Sequence, residues 1–254
     1  MLLTVDIGNT QTHIGCFSGS ELRASWRLAT NASVTADELA HLLSGLFSLR
    51  GIRFEEIDAA IVSSVVPRLG PEYTRMCGSY LERECLVVGP AIRTGMPVRT
   101  ETPHEVGADR IVNSVAAYER YASACIVVDF GTAITYDAIS EQGEYLGGVI
   151  APGIEISIEA LAARAAQIPV IELAEPEAAI GRNTKQSIQA GIVHGFAAQV
   201  DGVVARIRAE LGAGTPVVAT GGQAAAIAPF AEAIDEVDEL LTLTGLRVVW
   251  GRNQ

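Results

Sequence analysis

The alternation of apolar runs and polar turn residues predicts a meander of three strands followed by alternating helices and strands. In the first half of the chain, apolar runs bounded by turn residues predict strands over 2–6, 12–17, 21–28, 59–65 and 85–88. A capping sequence at 35–38 followed by leucines at helical spacing predicts a helix, and a second helix is expected over 71–81.

The second half of the chain repeats this order. Strands are expected over 125–129, 135–139, 145–150 and 217–220, helices over 154–167 and 187–211, and then a short helix and a closing strand over 247–250. A meander followed by alternating elements, twice over, indicates two similar α/β domains at residues 1–117 and 118–254. Each would have a mixed β-sheet with helices, and the two would flank a central cleft.

One short stretch ends the first strand of both halves. Val5-Asp6-Ile7-Gly8-Asn9-Thr10 returns 123 residues later as Val128-Asp129-Phe130-Gly131-Thr132-Ala133, and Thr12 has the same offset from Thr135. Asp, an apolar residue and Gly after a buried strand indicate a tight turn where the backbone closely approaches another group. The hydroxyl and amide side chains that follow can donate to phosphate oxygens. Two ordinary hairpins are the alternative, and the duplication favours a phosphate-binding fold.

Composition restricts the classes of protein to consider. With 254 residues, 49% of them apolar and 19% charged, the chain can bury a large core and is not expected to be disordered. No apolar run reaches the roughly 18 residues of a membrane span, and strand residues directly after Met1 predict that there is no signal peptide. The four cysteines lack C-x-x-C spacing, which favours buried reduced thiols and a cytoplasmic location.

The net charge of −12 argues against nucleic acid as a partner, since binding it requires clustered Lys and Arg. Lys185 is the single lysine, and the chain has no Gly-x-x-x-x-Gly-Lys-Ser/Thr loop. A phosphate site in this chain must therefore use backbone N–H groups, hydroxyls, a few arginines and a metal ion.

Three aspartates are candidates for phosphoryl transfer, which needs charge neutralisation and a carboxylate that accepts the alcohol proton. Asp6 and Asp129 end equivalent strands, so we expect them to face each other across the cleft and hold cations. Each could instead only cap its own turn. A capping box at 102–105 predicts a helix start, two turns before Asp109, where Asp is a poor helix former. Asp109 is then a base or the partner of a distant Arg, and Arg110 could bind a substrate carboxylate or form a surface salt bridge.

Several segments together resemble the type III pantothenate kinases, a family in the superfamily of sugar kinases, actin and Hsp70. They are Asp6-Ile7-Gly8-Asn9-Thr10, PHEVGADR at 103–110, VDFGT at 128–132, GGVIAPG at 147–153 and Thr-Gly-Gly at 220–222. The resemblance runs from Met1 to about residue 253. Glu-Val-Gly-Ala-Asp-Arg ahead of a strand ending in Asp-Phe-Gly-Thr is specific to the family, whereas Asp-x-Gly-Thr alone is typical of the superfamily. The resemblance implies two actin-like, ribonuclease H-like domains.

The resemblance also implies an activity and a set of site residues. The activity is transfer of the γ-phosphoryl group of ATP to the primary hydroxyl of pantothenate, the first step of coenzyme A synthesis. Asp109 would accept the proton, Asp6 would hold the magnesium that accompanies ATP, and Asp129 would hold a monovalent cation, potassium or ammonium. The substrate would contact Gly107, Ala108, Asp109, Arg110 and Thr184, the last of which could otherwise only cap a helix. The nucleotide would contact Asp6, Ile7, Gly8, Asn9, Thr10, Gln11, Thr12, His13 and Thr132.

Two other classes of protein remain as alternatives. One is a non-catalytic nucleotide-binding regulator related to the family, which would not need a base at Asp109. The other is a different kinase or phosphatase of the superfamily, which would not explain the segment at 105–110. The chain departs from the family pattern at Thr100 and at Thr102-Pro103, where Tyr and Asn-Pro are usual, and this affects the expected pantothenate pocket.

Family members are dimers with a pantothenate pocket built partly at the subunit interface, and one predicted helix supports a homodimer here. The helix from 154 to 166 carries apolar residues around much of its girth. They are Ile154, Ile158, Leu161, Ala162 and Ala165 on one face and Ile156, Ala160 and Ala163 towards the other. Such a helix requires burial on more than one side, either against a second copy or inside its own domain.

Overall fold

Each half of the chain forms a five-stranded mixed sheet in the computed structural model, which describes residues 1–164 and 171–254. The chain divides into two units. The first contains Met1–Pro97, Glu101–Ala116 and Leu241–Gln254, and the second contains Val98–Thr100 and Ala117–Leu240. The simpler division into domains at residues 117 and 118 stays a prediction.

The sheet of the first unit is built around its first strand. Its strands are β1 (Leu2–Ile7), β2 (Gln11–Ser18), β3 (Glu21–Ala29), β4 (Ala59–Ser64) and β5 (Cys85–Val87), in the order β3-β2-β1-β4-β5. The β1–β2 and β2–β3 pairs are antiparallel, whereas the β1–β4 and β4–β5 pairs are parallel. Gly19 forms the turn between β2 and β3 with a φ of +62°, which only glycine adopts without strain. Leu3, Val5 and Ile7 on one face of β1 are fully buried in the core.

The sheet of the second unit has the same order and the same strand directions. Its strands are β6 (Cys125–Phe130), β7 (Ala133–Ile139), β8 (Tyr145–Pro152), β9 (Val217–Thr220) and β10 (Glu236–Val237), in the order β10-β9-β6-β7-β8. The β6–β7 and β7–β8 pairs are antiparallel, and β9 is parallel to both β6 and β10. This repetition confirms the predicted duplicated α/β architecture, although the two-residue strand β10 was not predicted.

The two copies differ by one residue in their first loop. Ile7 pairs with Thr12 across the loop of the first copy, whereas Phe130 pairs with Ile134 in the second. Thr135 therefore corresponds in the structure to His13 and not to Thr12, and the equal sequence offset of the two threonines is not a structural equivalence.

Most of the helices lie where the spacing of apolar residues predicts a helix. They are α1 (Ala36–Ser48), α2 (Leu69–Met76), α3 (Ala108–Tyr121), α4 (Ile154–Arg164), α5 (Thr184–Leu211), α6 (Ala224–Ile227) and α7 (Leu241–Gly251). A reciprocal capping box of Thr35 and Glu38 starts α1, as predicted. Residues 165–167, which the prediction included in α4, lie outside the described residues. Within 1–164 and 171–254, no helix combines the length and apolar character needed to cross a membrane.

The predicted closing strand over 247–250 is wrong, because α7 occupies this segment. Val248 and Val249 favour a strand locally, but the buried leucines and Val249 follow helical spacing from Leu241 onward. The helix packs against β1 and β4 of the first unit. Burial of one apolar stripe therefore outweighs the local strand preference.

Candidate active site

The first candidate loop connects β1 to β2 in the first unit. Asp6 is half-buried near the end of β1, in register with His13 on one side and Ser63 on the other. The N–H of Gly8 donates to the carbonyl of Gln11 at 2.9 Å, which closes the loop and leaves Asn9, Thr10 and Gln11 exposed. A Cβ at residue 8 would lie 2.9 Å from that same carbonyl, so glycine is required there. The loop thus offers hydroxyl, amide and backbone groups to an anion.

His13 is neutral at physiological pH. Burial and the nearby charge of Arg27 lower the pKa of His13 to about 4. The imidazole therefore brings no positive charge to the first loop, so an anion held there would be bound by uncharged donors and by cations.

Asp109 lies in the first turn of α3, so the prediction that it stands two turns into a helix is wrong. Pro103–Glu105 forms only a single 3-10 turn, and the Thr102 hydroxyl bonds the Glu105 carboxylate instead of capping a longer helix. Gly107 separates this turn from α3. A Cβ at residue 107 would collide with Asp109 Oδ1, so a side chain there would have to displace the Asp109 carboxylate.

The environment of Asp109 suits a proton acceptor. Burial raises the pKa of the Asp109 carboxyl, while a hydrogen bond from the Arg110 N–H at 2.9 Å and the Arg110 charge oppose the shift. A raised pKa makes a carboxylate a stronger base, and the helix N-terminus opposes the shift by favouring the ionised form. Arg110 is half-buried beside it and can bind a carboxylate bidentately.

The second candidate loop, Gly131 and Thr132, follows β6 in the second unit. Asp129 is half-buried and in register with Thr135 and Thr220. Gly221, with a φ of +93°, packs so closely that its Cβ would lie 2.5 Å from Asp129 Oδ1 and 2.6 Å from the Phe130 carbonyl. A carboxylate oxygen and a carbonyl oxygen therefore both pack against Gly221, where no side chain fits, and oxygens of these two kinds are ligands that hard cations prefer.

Thr184 is the first residue of α5 and is exposed. Asn183 caps this helix by accepting from the Gln186 N–H at 2.9 Å, so Thr184 is not the cap and the helix begins before residue 187. Exposed Lys185 follows it. The segment is thus able to contribute a hydroxyl and a positive charge to a ligand.

The structure distributes the predicted residues over both units. The first unit holds the Asp6 loop and Asp109 with Arg110, and the second holds Asp129, Thr132 and Thr184. Among the described residues, no three His, Cys, Asp or Glu side chains form a metal-binding cluster.

Sequence reasoning missed two residues beside the first loop. Ser63 lies next to Asp6, fully buried, and its hydroxyl has no hydrogen-bond partner among the described residues. Thr30, directly after β3, forms hydrogen bonds to the loop itself. The pairing of β1 with β4 places Ser63 beside Asp6, and the pairing of β2 with β3 places Thr30 beside the loop. Neither residue belongs to a local motif, so a single sequence does not indicate that it lies there.

Comparison with known proteins first identifies the class of protein. A ROK hexokinase from Thermus thermophilus has a similar structure, with a TM-score of 0.51 and 15% identity, covering 100% of this chain and 99% of that one. At this level of identity the likeness shows the fold alone, and the fold is that of the actin-like sugar kinases, built from two duplicated domains.

Sequence comparison then identifies the family. The model for type III pantothenate kinases matches residues 2–206. A type III pantothenate kinase of Moorella thermoacetica is 52% identical over 253 residues, covering 100% of both chains. One from Myxococcus xanthus is 51% identical, covering 100% of this chain and 99% of its own length. This chain belongs to the type III pantothenate kinase family.

Proposed function

We propose that this chain transfers the γ-phosphoryl group of ATP to the primary hydroxyl of pantothenate, giving 4′-phosphopantothenate in the first step of coenzyme A synthesis. Membership of the family supports the substrate and the reaction. The observation that carries the catalytic part is Asp109, a half-buried carboxylate with a raised pKa in the first turn of α3. A kinase needs such a proton acceptor.

Both units supply groups for each of the two parts of the reaction, binding of pantothenate and binding of the nucleotide. Asp109 accepts the proton of the pantothenate hydroxyl, and Arg110 binds the carboxylate of pantothenate together with Gly107, Ala108 and Thr184. The exposed loop after Asp6 binds the phosphates through N–H and side-chain donors, and Thr132 contacts the nucleotide from the second loop. Binding the phosphates through backbone N–H groups and hydroxyls suits a chain that has one lysine and no P-loop.

The two aspartates at the strand ends would hold the cations. As in kinases generally, ATP is used with a divalent metal, and we assign magnesium to Asp6. We assign a monovalent cation, potassium or ammonium, to Asp129, because its carboxylate and the Phe130 carbonyl lie together beside Gly221 and are oxygen ligands of the kind that hard cations prefer. Bound cations supply charge neutralisation at the phosphates, which the protein's own side chains provide only sparsely.

The alternative, a non-catalytic nucleotide-binding regulator, has less support. A regulator would have no use for a carboxylate whose pKa is raised by burial, since an ionised group in such a position costs stability. Both relatives described above are named as kinases.

We further propose that the protein is a cytoplasmic homodimer. Ile154 and Ile158 of α4 are buried in their own unit, but Ile156 and Leu161 of the same helix are exposed. The neighbouring segment β8 is an edge strand, and it exposes Leu146, Val149 and Ile150. An apolar edge strand beside a partly apolar helix is a surface that a second copy can cover. Four free cysteines, three of them buried, agree with a reducing compartment.

The most direct test is an ATP-dependent phosphorylation assay with pantothenate, run with magnesium in buffers containing either potassium or only sodium. We expect a product heavier by one phosphoryl group and faster turnover in potassium. Binding of ATP without any phosphorylation of pantothenate in either buffer would support the regulator instead.

A further inference from the structure

Thr30 holds the first loop by three hydrogen bonds. Its hydroxyl donates to the Gly8 carbonyl at 2.8 Å, and its N–H donates to the Thr10 carbonyl at 2.9 Å. The hydroxyls of Thr30 and Thr12 lie 2.9 Å apart. One residue outside the β1–β2 loop thus fixes both the loop's beginning and its end.

Counting protons assigns the direction of the third hydrogen bond. The Thr30 hydroxyl has one proton, which it gives to Gly8, so Thr12 must donate to Thr30. Thr12 is buried, and its proton is committed to this contact. The side chain of Thr12 therefore supports the loop from inside, whereas Asn9 and Thr10 are exposed at the surface of the loop.

The same contacts orient the donors of the loop. In a planar trans peptide the carbonyl and the following N–H point in opposite directions. Because Thr30 binds the Gly8 carbonyl, the N–H of Asn9 must point away from Thr30. Binding of the Thr10 carbonyl imposes the same orientation on the N–H of Gln11. Backbone N–H groups aimed in a fixed direction are what an anion site without lysine requires.

The second unit carries an equivalent contact at the equivalent position. Ala29 ends β3 opposite Gln11, and Pro152 ends β8 opposite Ala133, so Thr30 and Gly153 both directly follow the third strand. A Cβ on Gly153 would lie 2.7 Å from the Gly131 carbonyl and still closer to that of Thr132. In both units, the residue after the third strand packs on the carbonyl groups of the candidate loop.

We propose that Thr30 is a positioning residue for nucleotide binding, which fixes the carbonyls of Gly8 and Thr10 so that the loop's N–H groups face the phosphates. This proposal depends on the proposed function in one respect, namely that the loop after Asp6 is the phosphate-binding site. Thr30 does not contact the substrate in this scheme, and it acts through the loop.

The test compares Thr30→Val, which removes the hydroxyl but keeps shape and the N–H, with Thr30→Ser, which keeps the hydroxyl. Binding of ATP with magnesium is measured by calorimetry without pantothenate, and KM values for both substrates are measured separately. We expect Thr30→Val to weaken ATP binding about tenfold, the loss of roughly two neutral hydrogen bonds. The KM for pantothenate should not change, and Thr30→Ser should bind ATP within about twofold of the wild type.

Thr215→Val is the matched control, because the Thr215 hydroxyl also donates to a glycine carbonyl, that of Gly212, at 2.8 Å. This variant should lose stability to denaturant without any change in ATP binding. If Thr30→Val destabilises the fold too far for measurement, Thr30→Ala replaces it. Wild-type ATP affinity in a folded Thr30→Val or Thr30→Ala protein overturns the proposal. Since ATP binding is measured alone, a failure to phosphorylate pantothenate would refute the proposed function and leave this result standing.

Discussion

At the scale of single residues, Asp109 combines partial burial with a position in the first turn of a helix. Burial alone would favour the protonated acid, and the helix N-terminus with the Arg110 N–H favours the carboxylate. The net effect is a raised pKa, that is, a carboxylate with an elevated affinity for a proton. This is the property that a general base needs near neutral pH.

Asp109→Asn should therefore lower kcat by roughly two to four orders of magnitude, because the amide keeps the shape but accepts no proton. ATP binding, measured by calorimetry, should remain. If the variant kept more than about a tenth of wild-type kcat, Asp109 would not be the base.

The same substitution should make the protein more stable at neutral pH. A carboxyl whose pKa is raised by folding favours the folded state at acid pH, and this contribution is lost as the pH rises through the raised pKa. The amide that replaces the carboxyl carries no charge at either pH. The advantage of Asp109→Asn in denaturant unfolding should therefore be larger at neutral pH than near pH ~4, the ordinary range of Asp. A variant destabilised at neutral pH would instead indicate damage to the fold.

Gly221 gives a test of the cation assigned to Asp129. Gly221→Ala would press a Cβ against Asp129 Oδ1 and the Phe130 carbonyl, and it would strain a backbone with a φ of +93°. We expect activation by potassium to be lost, as for Asp129→Ala, while activity without potassium changes less. Gly214→Ala is the control, since a Cβ at residue 214 meets nothing within 4 Å. Equal activity of the wild type in sodium-only and potassium buffers would count against the assignment.

The three aspartates could be proposed as candidates from the sequence because each belongs to a local motif, whereas the residues that support their loops could not. Asp6 and Asp129 are recognisable through the repeated strand-Asp-x-Gly pattern. Thr30 and Gly153 act through strand pairing, and a single sequence does not reveal which residue lies beside a loop about 20 residues away. The predicted position of Asp109 within its helix is wrong because the capping box at 102–105 ends in a single 3-10 turn.

At the scale of elements, α7 shows how packing decides between helix and strand. Gly245 of α7 lies directly against the Val112 carbonyl of α3, and a Cβ there would collide with it and lie 2.8 Å from Val112 Cγ1. The closing segment is therefore a helix that packs tightly on α3, in the same unit as β1. Periodicity alone left this segment ambiguous because it is short and rich in β-branched residues.

Gly245→Ala should lower the free energy of unfolding by about 1–3 kcal/mol, because the added methyl group forces α7 away from α3. Gly251→Ala, in the same helix, meets nothing within 4 Å and should not lower it. Denaturant unfolding followed by circular dichroism compares the two variants. Equal stability of both would show that the α3–α7 contact tolerates a side chain.

At the scale of the whole molecule, duplication explains why most strands could be predicted. The two sheets share one topology, so each apolar run in the first half supports the prediction of its counterpart in the second. The sequence did not reveal that the first loop of the second copy is one residue shorter. The two motifs keep the same sequence offset up to Thr132, and the difference appears only in how β7 pairs with β6. In a protein with net charge −12, the proposed function makes these loops, and not basic side chains, the groups that bind phosphate.

The homodimer is the prediction that concerns the whole molecule. Ile150 on the edge strand β8 is 65% exposed, and it lies among exposed Leu146 and Val149. Light scattering at micromolar concentration should give about twice 26.7 kDa for the wild type. Ile150→Glu should give the monomer mass, because a buried unpaired charge is strongly unfavourable in an apolar interface. Leu49→Glu, at a still more exposed apolar residue of the first unit, should remain a dimer.

Activity of the monomeric variant tests whether the partner contributes to the pantothenate pocket. Thr184 and Lys185 are exposed at the start of α5, in the same unit as β8. If they reach the partner's Asp109 region, Ile150→Glu should raise the KM for pantothenate strongly while ATP binding stays unchanged. Thr184→Val in the dimer should raise the same KM, which separates loss of the hydroxyl from loss of the partner. A fully active monomer would refute both the dimer requirement and the shared pocket, since each site would then be complete within one chain.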